Sequence, residues 1–364
     1  MKILIVSLLK RNITPEQTAS RPRVIYDLAS GLLKRGHKVS ILGTGDSNVP
    51  GAKIIPVISK SWINRPPAEN EFYAQTADLI SLAKRLEQVS SDYDIIHNHT
   101  YPEFINLMIA DRIKTAMVTT LHAQATAEFD RALSMFPQAH LVSISKAHKR
   151  LFKIAKIAQV IYNGIDTDLY SFCGKKQDYM LWIGRLGKAK NKDGIFQDAK
   201  GVRWAIKLAQ ATGQKLKMAG NVEDMEFFER DVKPHLNDKI QWIGGVLAEY
   251  TLSKKQVVKL MQKARVFLMT ISWYEPFGLV MAEAMSCGAP VIAFNRGSVP
   301  ELVIDGKTGF VVEYKQGVQG LIKALSKINQ IDPRACRKHV EENFSLDKMV
   351  RNYEKVYQLC LKNN

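Results

Sequence analysis

No apolar run in the sequence approaches the roughly 18 residues that a membrane-spanning helix needs, although 46% of its 364 residues are hydrophobic. Absent too are CxxC pairs and any even cysteine framework. Cys173, Cys287, Cys336 and Cys360 are scattered, which excludes a disulfide scaffold and favours a reducing, cytoplasmic setting with cysteines as small core residues. The stretch from Met1 to Arg11 meets charge at once and carries no small-residue cleavage site. A buried first strand is expected there rather than a secretion leader. Acidic charge is also scarce: 35 Asp and Glu stand against 52 Lys and Arg, a net charge of +17. An anionic partner is therefore expected. The excess is spread, +7 in residues 1–166 and +10 in the remainder, whereas a nucleic-acid arm would concentrate it. Substrate phosphates and an anionic membrane surface remain as the partners this charge serves.

What the sequence does contain is a repeated alternation. Short Val/Ile/Leu-rich runs, the mark of strands covered on both faces of a parallel sheet, occur at 3–7, 39–42, 54–57, 95–97, 117–121, 141–144 and 160–162. Between them lie helical patterns, clearest at 23–35, with Val24, Leu28, Leu32 and Leu33 on one face and Gly36 as the stop. The plan restarts with strands at 179–183, 215–218, 240–243, 266–269, 291–294 and 310–312, and a helix at 202–211. Such alternation predicts an α/β protein of two doubly wound, Rossmann-like domains, residues 1–165 and 166–345. The join falls at Asn163-Gly164-Ile165-Asp166, and residues 346–364 form a last helix returning to the first domain. Open α/β sheets bind ligands beyond the carboxyl ends of their strands, so two such domains facing across a cleft would place the site there.

The segment Glu275-Pro276-Phe277-Gly278-Leu279-Val280-Met281-Ala282-Glu283 carries the most chemistry. Pro276 suits a helix start and Gly278 allows close backbone approach. The amides of Phe277, Gly278 and Leu279 would lie at a helix N-terminus, where the dipole favours an anion. On a continuous helix the two glutamates would stand about 12 Å apart, too far to act on one atom but suited to two ends of an extended ligand. By spacing alone, a capped amphipathic helix with a solvated Glu fits equally well.

This segment and its continuation through Val291 resemble the signature of retaining GT-B glycosyltransferases of family 4. Other pieces agree in type and order: Asp94-Ile95-Ile96-His97-Asn98-His99, Thr119-Thr120-Leu121-His122, Val142-Ser143-Ile144-Ser145, Asn163-Gly164-Ile165-Asp166, Trp182-Ile183-Gly184-Arg185, Lys200-Gly201-Val202, Val299-Pro300-Glu301-Leu302 and Asp305-Gly306-Lys307-Thr308-Gly309-Phe310. The resemblance implies a GT-B fold, an acceptor-side first domain and a nucleotide-sugar-binding second domain. It implies a hexosyltransferase working with retention and without metal or other cofactor, on a UDP- or GDP-linked sugar and a sugar, lipid or lipid-linked acceptor, in glycan or glycolipid biosynthesis. Arg185 and Lys200 would hold the diphosphate and Glu283 the ribose. Glu275 and the backbone of Phe277, Gly278 and Leu279 would hold the sugar, with His122 beside the reacting centre. Three features depart from the family. Thr18-Ala19-Ser20-Arg21 stands where a Gly-Gly is common, and residues 187–199 form a polar insert in which Lys190 or Lys192 could replace Lys200. Met269-Thr270-Ile271-Ser272 stands where a proline often precedes the motif. The same fold serves nucleotide-sugar epimerases and could serve an inactive sugar- or lipid-binding module.

Four other patterns are set aside. Asp166-Thr167-Asp168 has the form of a metal-binding Asp-x-Asp but follows turn residues, and reads as a turn. His97-Asn98-His99 lacks carboxylate or cysteine partners and reads as one cleft residue and one core histidine. Gly306-Lys307-Thr308 lacks the upstream glycine of a phosphate loop, and Gly43-Thr44-Gly45 lacks the third glycine of a dinucleotide fingerprint. Residues 145–158, with Lys146, Lys149, Arg150, Lys153 and Lys156 among apolar residues, suggest a basic amphipathic helix. It reads as a solvated face over a core, or as a peripheral contact with anionic membrane on the cytoplasmic side.

Overall fold

The structure, a computed structural model, describes residues 1–187, 190–191, 193–247 and 252–362. The chain divides into two compact units, residues 1–164 with 346–364, and residues 165–345.

Unit 1 is built on β1 (Lys2–Val6), β2 (Lys38–Thr44), β3 (Lys53–Ile58), β4 (Ile95–Asn98), β5 (Met117–Leu121), β6 (His140–Ser143) and β7 (Ile157–Val160). They form one parallel sheet in the order β3-β2-β1-β4-β5-β6-β7. Successive strand residues face opposite sides, and Ile3, Leu4, Ile5 and Val6 are all fully buried. Both faces of β1 are therefore covered by helices, which is why it reads as an unbroken apolar run. The strand expected at 160–162 lies earlier because Ile157 joins the cluster of Phe129, Leu133 and Phe152. The helix expected over 145–158 is also corrected, since only Lys146–Leu151 is helical. Beyond it the Asp130 carboxylate accepts the backbone N–H groups of Lys153 (2.6 Å), Ile154 (2.9 Å) and Ala155 (2.8 Å), which turns the chain.

The helix Leu346–Lys362 is tied to unit 1 by polar contacts set in an apolar face. Tyr357 meets His97 Nδ1 at 2.6 Å, and Tyr353 meets Thr120 Oγ1 at 2.9 Å. Nearer solvent, Glu354 accepts from Arg35 and lies against His37, both at 2.8 Å.

Unit 2 repeats the plan with β8 (Met180–Ile183), β9 (Leu216–Ala219), β10 (Ile240–Trp242), β11 (Val266–Met269), β12 (Val291–Phe294) and β13 (Gly309–Val312). This parallel sheet has the order β10-β9-β8-β11-β12-β13. Gly201, ahead of the helix Val202–Thr212, has φ +74° and lies where an added Cβ would strike the Thr270 carbonyl. That contact lets the segment after β8 lie on the loop after β11. Gly201→Ala should lose about 2–4 kcal/mol, combining left-handed strain with a backbone collision. Gly36→Ala, at φ +83° with nothing within 4 Å, should lose only about 1–2 kcal/mol. Urea unfolding of the two variants checks the difference, and equal losses would contradict this packing.

Candidate functional site

In both sheets the strand order reverses beside the first strand, between β1 and β4 in unit 1 and between β8 and β11 in unit 2. Chain connections leave a strand edge open at such a point, and ligands of open α/β sheets bind there, beyond the carboxyl ends. Of the site residues read from the sequence, Arg185 and Glu275 follow β8 and β11, the two strands that flank the reversal in unit 2, and His122 follows β5, one strand beyond the reversal in unit 1.

In unit 2 the loop after β11 is fastened to the segment before Val202. Thr270 Oγ1 donates to the Gly201 carbonyl at 2.6 Å, Ser272 N to Ala199 O at 3.0 Å and Ser272 Oγ to Asp198 O at 2.8 Å. This fastening brings Lys200 Nζ within 2.8 Å of Glu275 Oε2 and 4.4 Å from the centre of the Trp273 ring. Ser298 holds the other side of the loop, its N–H on Glu275 O at 3.0 Å and its hydroxyl on Phe277 O at 2.7 Å. Phe277 is buried with its ring edge-on to Phe344. Gly278, at φ +81°, turns the chain into the helix Leu279–Ser286, and no side chain caps that helix. The neighbouring helix start is filled: Asp198 accepts the N–H groups of Gly201 (2.7 Å), Val202 (3.0 Å) and Arg203 (2.8 Å). Burial raises the Asp198 pKa, and these three bonds oppose the rise. Glu283, one turn into the uncapped helix, is 9% exposed and accepts from the Tyr170 hydroxyl at 2.8 Å. Glu275 precedes the helix instead of riding on it, so the two glutamates are not on one continuous helix face.

Arg185 follows β8 with a largely exposed side chain, 3.3 Å from Glu223. Lys190 is engaged elsewhere, 2.6 Å from Glu226 and over the Phe196 ring. Lys192 lies outside the described residues. Among the described cations considered for the diphosphate, Lys200 is the one in contact with Glu275.

In unit 1, His122 directly follows β5 and its Nε2 is 2.8 Å from His99 Nδ1. The Glu103 carboxylate gathers the surrounding groups, accepting the N–H of His122 (3.2 Å), the N–H of Ala123 (3.1 Å) and Arg21 Nη2 (2.7 Å). Arg21 also donates to Thr100 O at 3.0 Å and lies over the Tyr101 ring. In the stretch where the family commonly has two glycines, this chain thus carries an arginine that links the start of the helix Ser20–Lys34 to the loop after β4. His97 and His99 are both fully buried. Asp166 forms a turn, its Oδ1 accepting from Asp168 N at 3.1 Å and Leu169 N at 3.2 Å. No group of three or more potential metal ligands occurs among the described residues.

Two family models account for most of the sequence, "Glycosyltransferase Family 4" over residues 22–169 and "Glycosyl transferases group 1" over residues 172–343. The chain is a GT-B glycosyltransferase of family 4. Among its relatives is the N-acetyl-alpha-D-glucosaminyl L-malate synthase of Bacillus anthracis, 26% identical over 385 aligned positions and 93% of each chain. Solved structures of the same fold include the sucrose-phosphate synthase of Thermosynechococcus elongatus, with a TM-score of 0.76, 18% identity and 100% of both chains covered. Another is HepE of Anabaena in complex with UDP and glucose, with a TM-score of 0.70, 17% identity and 98% of this chain and 99% of that one covered. The two parallel Rossmann-like sheets of this glycosyltransferase are those of the GT-B fold.

Asp198, Tyr170, Trp273 and Glu103 were not singled out from the sequence. Asp198 had a usable signal, an acidic residue just ahead of a Gly-Val helix start. Tyr170 and Glu103 reach their partners over sequence separations of 113 and 19–82, and no local pattern announces them.

The buried histidines of unit 1 have a consequence for stability. Burial lowers the pKa of His97, His99 and His122, to about 3 for His99, and that of His148 to about 4. Unfolding returns each to about 6.5, so below that pH the unfolded chain binds the additional protons. Their contribution is complete above pH about 6.5 and is lost as pH falls toward the folded values, by up to about 1.4 kcal/mol per pH unit per histidine. Urea midpoints at pH 7, 6 and 5 should fall steadily, before most carboxylates titrate; a flat profile would contradict neutral burial.

Proposed function

We propose that this glycosyltransferase moves a hexose from a UDP- or GDP-sugar to an acceptor hydroxyl, with retention and without a metal. The observation that carries the reading is the uncapped start of the helix Leu279–Ser286, beside the Lys200–Glu275 pair. The adjacent helix start is already occupied by Asp198, which leaves the Leu279 end for an incoming anion. A helix start without a side-chain cap, with the positive end of the helix dipole directed at it, matches a diphosphate. Lys200 and Arg185 supply the charge that offsets the leaving group, the task a metal performs in other transferases. Glu283 takes the ribose hydroxyls. Glu275 and the backbone of Phe277, Gly278 and Leu279 take the sugar, and His122 is the unit 1 residue that meets it. A relative named N-acetyl-alpha-D-glucosaminyl L-malate synthase supports a sugar-joining reaction, and a neighbour holding UDP and glucose supports a uridine donor.

In this reading no pair of carboxylates brackets the anomeric carbon as in a glycosidase. The acceptor hydroxyl attacks the face the nucleotide leaves, and the departing phosphate oxygen takes its proton. The role of residues 1–165 is then acceptor recognition, and that of 166–345 donor binding.

A panel of UDP-, GDP- and ADP-sugars should raise the melting temperature with one base preferred. Glu283→Gln and Tyr170→Phe should weaken that shift, whereas unchanged binding would remove Glu283 from the donor site. Lys200→Ala should lower kcat by about 10²–10³-fold, with Lys190→Ala near wild type. Release of free nucleotide only with acceptor present, insensitive to EDTA, separates transfer from epimerisation and from a metal-dependent route.

A peripheral membrane contact belongs to the same reading. Lys149, Arg150, Lys153 and Lys156 are exposed around Ile154, itself 65% exposed, so cations surround an apolar tip. Flotation with vesicles containing anionic lipid should be reversed by salt and reduced by Lys149→Glu with Lys153→Glu. No flotation at low salt would dismiss the contact.

A further inference from the structure

The three histidines at the ends of β4 and β5 are not equivalent. His97 is satisfied on both ring nitrogens, Nδ1 against the Tyr357 hydroxyl at 2.6 Å and Nε2 against Thr120 Oγ1 at 2.8 Å. His99 is satisfied on one. Its Nδ1 lies 2.8 Å from His122 Nε2, while its own Nε2 is sealed inside unit 1 without a hydrogen-bond partner. His122 is only partly buried, and its Nδ1 is not among the sealed atoms.

A hydrogen bond between two neutral imidazoles contains one proton, and its owner decides what the outer nitrogens are. Were His122 the donor, His99 would carry its own proton on Nε2, an orphaned N–H in the interior. With His99 as donor, its Nε2 is a bare lone pair. Orphaned buried donors are rarer than under-satisfied acceptors, so the second arrangement is favoured. Both rings stay neutral near pH 7, because burial, reinforced by the Arg21 charge, holds each pKa below the ordinary histidine value.

We propose that His99 is a positioning residue that fixes His122 as the Nδ1–H tautomer, so that His122 offers a hydrogen-bond donor to a substrate oxygen. The Nε2 lone pair of His122 is consumed by His99, and its Nδ1 carries a proton. In this state His122 has no free lone pair and does not act as the general base. Its ligand atom is an acceptor, such as a sugar hydroxyl or phosphate oxygen. The contact with substrate rests on the functional reading above; the tautomer does not.

The first test uses the wild-type protein labelled with 15N-histidine, which has eight histidines. The His122 ring signals are those lost in His122→Gln. In a long-range 1H–15N spectrum the unprotonated nitrogen of His122 should correlate strongly with both carbon-bound ring protons, which marks it as Nε2. An unprotonated Nδ1, correlating strongly with only one of them, would overturn the proposal whatever the enzyme's activity. The second test is kinetic. In His99→Asn the side-chain amide stands near the place of Nδ1 and can still donate; His99→Phe fills the space without a donor. His99→Asn should stay within a few-fold of wild-type kcat, and His99→Phe should lose about tenfold or more with the nucleotide-sugar KM unchanged. In a His122→Gln background His99→Phe should cost little further. Equal losses in the two variants, or full additivity in that background, would make His99 merely structural.

Discussion

Two parallel sheets covered on both faces leave little room for polar chemistry except at the strand ends. A parallel strand needs a crossover to return, the crossovers are helices, and the helices cover the faces. In this chain the constraint is visible in β1 and β12, where successive residues on both sides are fully buried. Polar groups that a ligand can reach therefore gather where connections diverge, and the reversals beside β1 and β8 provide such places. His122, Arg185 and Glu275 lie in the loops after β5, β8 and β11, and Arg21 and Lys200 at or just ahead of helix starts, because the interior of either unit would have required them to be neutral or fully paired.

Within each edge region a carboxylate does the organising. Glu103 holds two backbone amides and Arg21, and Asp198 holds three amides at a helix start. Both fix loop backbone that would otherwise be free to move, at the expense of burying negative charge; the raised pKa of Asp198 records that expense. The Lys200–Glu275 pair differs in kind. Lys200 remains partly exposed and braced by Trp273, so its charge can be shared with an incoming anion without leaving Glu275 unpaired in a dry interior. A cation already held in position spends little reorganisation on a leaving group, which is the basis of electrostatic catalysis.

The fold was legible because both-face burial writes itself as contiguous Val/Ile/Leu runs. β5, β11 and β12 match the sequence reading residue for residue. Elements that depend on distant partners were less legible. The end of the Lys146–Leu151 helix is set by Asp130, which no local pattern around 152 reveals. The helix Glu71–Val89 buries little beyond Leu82, Leu86 and Val89, so its apolar stripe is too thin to stand out. At the candidate site, the types and order of Arg185, Lys200, Glu275 and Glu283 could be read from motifs. Their couplings, Lys200 to Glu275, Glu283 to Tyr170 and Arg185 to Glu223, exist only through the fold.

The Thr18-Ala19-Ser20-Arg21 stretch shows how a departure from a motif acquires meaning. A Gly-Gly at this point would leave backbone amides open to close approach. Here the space beside the loop after β4 contains a guanidinium bonded to Glu103 and Thr100. Its charge lies near His99 and His122 and helps keep both rings unprotonated. With the ring neutral and its Nε2 engaged by His99, His122 has a donor to offer and no lone pair to spare. On the proposed tautomer His122 has no lone pair with which to act as general base, so a proton leaving the acceptor goes to another base. In the proposed reaction the departing phosphate oxygen is that base, which leaves His122 to hold a substrate oxygen in place by its donated hydrogen bond.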